Sequence, residues 1–151
     1  MMITQTTLKS SWKERQFKLK EPKILTYQLR IDKETNKPCK GFFREELNAL
    51  GTWQRIVDGR IDVLSITDDI DVIFNDEFLI NQLPFNRVFY DEEPLSMLGG
   101  NLICVRHIGD EFSSIQKEDV ATILKYLQPV VKVENYLVIV PEDMCLDYKE
   151  K

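Results

Sequence analysis

Between Leu25 and Val140 the apolar residues come in short runs broken by turn residues, and that rhythm requires a sheet. Leu25, Tyr27, Leu29 and Ile31 alternate with Thr26, Gln28 and Arg30, the two-residue period of a half-buried strand. Asp32 to Gly41, with Asn36, Pro38 and Gly41, reads as a loop or a long hairpin turn. Two β-rich runs, 61–66 and 70–74, are joined by Thr67-Asp68-Asp69 and predict a hairpin, with Asn75-Asp76-Glu77 as the next turn. Short strands at 88–90 and 102–106 flank the acidic turn Asp91-Glu92-Glu93-Pro94 and a Gly99-Gly100-Asn101 corner. The glycine pair supplies positive φ or close backbone approach at that corner. Residues 130–133 and 136–140, on either side of Glu134-Asn135, form a C-terminal hairpin.

Two segments carry helical spacing instead. Phe43, Leu47, Leu50, Trp53, Ile56 and Val57 predict a helix over 43–57, with Glu45 and Glu46 near its start, where the helix dipole favours carboxylates. Gly51 weakens it by about 1 kcal/mol relative to alanine, and Asp58-Gly59 ends it. Val120, Ile123, Leu124 and Leu127 lie at i, i+3, i+4 and i+7, predicting a second helix over 117–128 that Pro129 stops. The fold class is therefore α+β: a mainly antiparallel sheet with two helices, a basic N-terminal arm over residues 1–22, and a single domain over 23–151 that includes the hairpin at 130–140.

A chain of 151 residues can bury roughly 70% of its unfolded surface, so no staples are needed. Cys39, Cys104 and Cys145 are too few and too widely spaced for a disulfide framework or a Cys-x-x-Cys metal site. They are expected to be reduced, with Cys104 in the core. No run approaches the 18 apolar residues of a membrane span, and no secretory leader pattern opens the sequence, so a cytoplasmic location without membrane contact is expected.

The formal charge of −5 conceals a polarity. Lys9 to Arg44 contains eleven Lys and Arg against four Asp and Glu, whereas Asp58 to Glu93 contains ten Asp and Glu against two Arg. Such asymmetry steers charged partners, although charged loops also simply solvate a domain.

Catalytic apparatus is sparse. His107 is the only histidine, which excludes a multi-histidine metal site. Cys104 and His107, three apart on one strand, point to opposite faces and cannot form a nucleophilic pair. The carboxylates from Asp68 to Glu77 lack the glycine and the terminal glutamate of a calcium loop, and no phosphate-binding glycine motif occurs. No cofactor or metal is expected.

In chain order, a helix leading into Gly59-Arg60-Ile61-Asp62-Val63 is followed by Asp69-Ile70-Asp71-Val72-Ile73-Phe74-Asn75-Asp76-Glu77 and then Leu83-Pro84-Phe85-Asn86-Arg87. Leu98-Gly99-Gly100-Asn101 and Phe112-Ser113-Ser114-Ile115 complete the series ahead of the last helix. On these pieces the stretch of about 24–127 resembles a small-domain family of phages and conjugative elements of Gram-positive bacteria, a domain of unknown function. The resemblance implies a mobile-element accessory protein and brings no catalytic residues with it. Gln116 stands where relatives place a Ser or Thr helix cap, a loss of about 1 kcal/mol unless Ser113 or Ser114 takes the role. The arm before Pro22 and the hairpin after Pro129 are additions to the family core.

The expectation is thus a non-enzymatic protein that binds a host protein, of the nucleic-acid-handling or defence kind, and inhibits it through an acidic surface of Asp68, Asp69, Asp71, Asp76, Glu77, Asp91, Glu92 and Glu93. Asn86 and Arg87 offer a polar loop motif. Arg87 can grip a carboxylate bidentately; alternatively, Asn86 closes the turn and Arg87 pairs with Asp91 or Glu92. A second expectation is nucleic-acid binding by Lys9, Trp12, Lys13, Arg15, Lys18 and Lys20, where aromatics interleave with cations. A third is a metal-dependent hydrolase built on the carboxylates.

Overall fold

The computed structural model describes residues 22–90 and 96–150. The basic-arm residues Lys9 to Lys20 and the carboxylates Asp91, Glu92 and Glu93 lie outside them. In chain order the elements are β1 (Lys23–Leu29), β2 (Phe42–Leu47), α1 (Leu50–Val57), β3 (Ile61–Ser65), β4 (Ile70–Asn75) and β5 (Phe85–Phe89). There follow β6 (Ser96–Gly99), β7 (Leu102–Ile108), β8 (Glu111–Ser113), α2 (Asp119–Tyr126), β9 (Leu127–Val133) and β10 (Tyr136–Ile139), then a 3₁₀ turn at Glu142–Met144. The strands form two sheets, the larger in the order β2-β1-β7-β4-β3 with β8 beside β7, the smaller in the order β10-β9-β5-β6. All pairings between these strands are antiparallel, so the α+β expectation holds, with two sheets in place of one.

Strand β1 departs from the half-buried reading. Thr26 and Gln28 are as buried as Tyr27 and Leu29, because β1 is an interior strand covered on both faces. The Gln28 amide donates to Thr26 Oγ1 at 3.1 Å and to Glu46 at 2.7 Å, which satisfies the buried polar groups.

The expected helix over 43–57 is two elements. Residues 42–47 pair with β1 in the register Tyr27↔Phe43 and Leu25↔Glu45, and only Leu50–Val57 is helical. The i, i+4 spacing of Phe43 and Leu47 also fits one face of a strand, and the ladder to β1 overrides the helical pattern. Glu45 and Glu46 therefore lie on a strand and serve no helix dipole. The eight residues of α1 lay Trp53, Ile56 and Val57 over Ile61, Val63, Ile73, Ile103, Val105 and Phe112, a core on one face of the larger sheet. Its last carbonyls are taken up by the sheet: Asn75 Nδ2 donates to Val57 and Asp58 at 3.1 Å each, and Asn101 Nδ2 donates to Ile56 at 3.0 Å.

Helix α2 is shorter than the predicted 117–128. Leu127 is already extended, and β9 runs through Pro129, so the proline lies within a strand and does not stop the helix. The Pro129 carbonyl accepts from the Val140 N–H at 3.0 Å, so its ring nitrogen faces that same edge and no ladder bond to β5 is lost. Ser114 accepts the Leu25 N–H at 2.9 Å and does not cap α2. Instead Asp119, the first residue of α2, accepts the Gln116 N–H at 2.8 Å and is gripped by Arg106 through two hydrogen bonds of 2.7 and 2.8 Å.

That grip makes stability pH-dependent. The Arg106 guanidinium holds the Asp119 carboxyl below its ordinary value of 3.8, so the contribution is complete above that value and disappears as the pH falls through the lower folded value. Arg106→Gln is expected to flatten the loss of stability on acidification below about pH 4, measured by urea titrations at stepped pH. An unchanged acid limb would contradict this.

The main core lies between the two sheets, where Tyr27, Leu29, Val72, Leu102 and Cys104 of the larger meet Phe89, Leu98 and Leu127 of the smaller, with Ile123 from α2. The chain passes between sheets at the Gly99-Gly100 corner. Gly100 has φ +75, and a Cβ on Gly99 would lie 2.7 Å from the Phe78 ring and 3.1 Å from the Pro84 carbonyl oxygen, so both reasons for glycine apply.

Candidate functional site

Sheet register decides which polar residues meet. Ser65 opposes Asp71, and Asp71 opposes Val105, which places Ser65, Asp71 and His107 on the face of the larger sheet that carries α1. Asp71 is 1% exposed, accepts from Ser65 Oγ at 2.9 Å and lies 2.8 Å from His107 Nδ1. It is therefore buried and leaves the predicted acidic surface. The line has the residue types of a hydrolytic triad in the wrong order. The carboxylate is central, so the imidazole makes no contact with the hydroxyl it would need to deprotonate. Cys104 lies on the opposite face, its thiol pushed up to about 12 by burial, a value that leaves it protonated and inert.

The Asn86-Arg87 motif belongs to strand β5, not to a loop, at a bulge between Phe85 and Arg87. Asn86 Nδ2 donates to the Leu29 and Gly100 carbonyls at 2.8 and 2.7 Å, tying the corner to β1. Arg87, with no exposed surface, donates to Asn86 Oδ1 at 2.6 Å, to the Cys39 carbonyl at 3.0 Å and to Glu142 at 2.9 Å. Its partner is thus Glu142 of the C-terminal turn. The other oxygen of Glu142 accepts the Gly41 N–H at 2.7 Å. Nearby, burial first and the Glu142 charge second push the Tyr27 hydroxyl up to about 12. Both motif residues are interior staples.

The remaining predicted carboxylates separate along β4. Asp68 and Asp69 are exposed on the β3–β4 turn, while Asp76 and Glu77 follow the other end of the strand, roughly 20 Å away at 3.3 Å per residue. Asp76 is paired with Arg60 at 3.0 Å. The Asp68-Asp69 end gains residues that sequence reasoning passed over. The His107 N–H donates to the Asp69 carbonyl at 3.1 Å, so the β3–β4 turn abuts the end of β7, beyond which exposed Asp110 lies on the β7–β8 turn and exposed Glu111 opens β8. Ile108, 74% exposed, is the last residue of β7 and leads into that turn. The available signal was Gly109-Asp110, a turn dipeptide between two strand runs, and Gly109 does adopt φ +63.

Among the described residues, no three His, Cys, Asp or Glu side chains converge as metal ligands, and no helix is long and apolar enough to cross a membrane. The sharpest polar constellations are therefore two buried staples, Ser65-Asp71-His107 and Asn86-Arg87-Glu142. No curated protein and no solved structure matches the chain. The model of a family described as a domain of unknown function, DUF3846, matches residues 29–128, a span that begins within β1 and closes two residues into β9, and the chain belongs to that family.

Proposed function

We propose that this protein is a non-catalytic binding module that docks a basic surface of a partner protein through the end of the larger sheet formed by the β3–β4 and β7–β8 turns. The observation that carries the reading is that exposed Ile108 ends β7 opposite exposed Glu111 and next to His107, whose N–H bonds the carbonyl of Asp69, with exposed Asp68 and Asp110 on the two adjoining turns. An exposed apolar residue beside exposed carboxylates is an arrangement a protein contact uses: the charges steer the partner and the apolar side chain is desolvated on docking. The resemblance to phage and conjugative-element domains makes a host protein the partner class, with inhibition of a nucleic-acid-handling or defence function as the consequence. Asp76 and Glu77, at the far end of β4, fall outside one contact of this size.

A photo-crosslinking residue in place of Ile108, in the full chain expressed in its own host, tests this. A discrete adduct is expected at Ile108, absent when the probe replaces Glu134 on the distant β9–β10 turn and lost when Asp68 and Asp69 are changed to lysine. Equal adducts at both positions, or adducts indifferent to the charge reversal, would overturn the reading.

A further inference from the structure

The last residues of the chain are seated on the β1–β2 face as a ligand would be. Beyond the 3₁₀ turn the backbone pairs with the segment before β2, Leu146 forming a parallel bridge with Cys39 and the Lys40 N–H donating to the Leu146 carbonyl at 2.7 Å. The Tyr148 ring then stacks on Phe42, with centroids 5.0 Å apart and planes 7° from parallel. The Arg30 guanidinium lies 4.8 Å from the centre of the same ring and donates to its hydroxyl at 3.0 Å. Two residues on, the Glu150 carboxylate takes a bidentate bond from Arg44 at 2.6 and 2.9 Å. A planar slot between an aromatic and a guanidinium, followed by a forked cation, recognises an aromatic group and an anion in fixed order.

The occupant is held loosely. Clefts of about 510 and 300 Å³ open along the tail, the first bordered by Arg30 and the 32–35 loop, the second by Lys40, Phe42 and Arg44. Arg30 Nε is buried without a hydrogen-bond partner, so this face is not fully satisfied by what covers it. The Arg44–Glu150 pair is exposed to solvent, where ion pairs add little. Arg30, Phe42 and Arg44 lie within residues 29–128 of the family domain, while the tail lies beyond them.

We infer that the β1–β2 face is a peptide-binding groove for an aromatic residue followed two positions later by a carboxylate, and that the chain's own Tyr148-Lys149-Glu150 occupies it in cis as a displaceable pseudo-ligand. Arg30 and Phe42 clamp the aromatic ring of an incoming segment, Arg44 takes its carboxylate, and the Lys40 amide takes a backbone carbonyl. The tail competes at the high effective concentration of a tethered ligand, so only a better-matched or locally concentrated segment displaces it. This site is separate from the acidic end of the larger sheet, and either can fail without the other.

The test uses the full chain carrying Tyr148→Ala and Glu150→Ala, titrated with a peptide of the sequence 146–151 and, separately, with a mixed-sequence single-stranded oligonucleotide, while backbone amide resonances are followed by NMR. Peptide-dependent shifts are expected at Lys40 to Arg44, with an apparent affinity at least about tenfold higher than for the unmodified chain, whose tail competes. Adding Arg44→Glu should abolish them, with amide dispersion confirming that the variant is folded. Equal peptide binding by the opened and unmodified chains, shifts indifferent to Arg44→Glu, or oligonucleotide binding in preference to the peptide would each overturn the inference.

Discussion

Replacement of Arg87 by alanine is expected to destabilise the protein by about 3–5 kcal/mol in urea unfolding, the scale for removing one member of a buried ion pair. The guanidinium has no exposed surface and is the common donor to Asn86, the Cys39 carbonyl and Glu142. Its loss strands three acceptors from three parts of the chain: β5, the segment before β2, and the C-terminal turn. With typical domains stable by about 5–15 kcal/mol, such a change is a large share of the total. Glu142→Gln should do less harm, because Glu142 is partly exposed and the amide oxygen still accepts from Arg87, although the Gly41 N–H loses its acceptor. Combining the two should be less damaging than the sum, which isolates the pair. A loss below about 1 kcal/mol for Arg87→Ala would show that the cluster is not a staple.

Trp53→Ala is expected to cost about 3–5 kcal/mol as well, through the cavity it leaves beneath α1. Trp53 is 1% exposed and meets Phe112 edge-on at 6.1 Å. An eight-residue helix lies below the length that sustains itself in water, so α1 exists because this side chain anchors it to the sheet. Amide exchange in 50–57 should accelerate before exchange in β4 or β7 does. Trp53→Phe, which retains a ring in the site, should lose less. Uniform acceleration across the sheet would indicate that α1 is not a separable unit.

The same residues show what the sequence made legible. The β3–β4 hairpin, the C-terminal hairpin and the Gly99-Gly100 corner were readable because their signals are local: β-branched runs, turn residues and a glycine pair. The helix over 43–57 was misread because Phe43 and Leu47 satisfy both periods, and only pairing with β1, fixed by residues some twenty positions earlier, settles the choice. Pro129 was misread because its meaning depends on which edge of β9 faces β10. For Arg87 the local sequence offers only Asp91 and Glu92 as carboxylate partners, whereas Glu142, the one it bonds, is 55 residues away and invisible to local reasoning. Burial of Asp71 likewise depended on His107 and Ser65 arriving from neighbouring strands. The proposed acidic set joins local and non-local residues. Asp68 and Asp69 were named, whereas Asp110 and Glu111 join them only through the β4–β7 register.

Docking through the acidic turns is tested by the affinity of the crosslinked partner, once purified, for the unmodified chain and for a variant with Asp68, Asp69, Asp110 and Glu111 all changed to lysine, across a salt series. At least about a tenfold loss is expected on charge reversal, with an affinity of the unmodified chain that falls as salt rises while the variant's does not. An affinity unchanged by the reversal, in a variant that unfolds like the original, would contradict it.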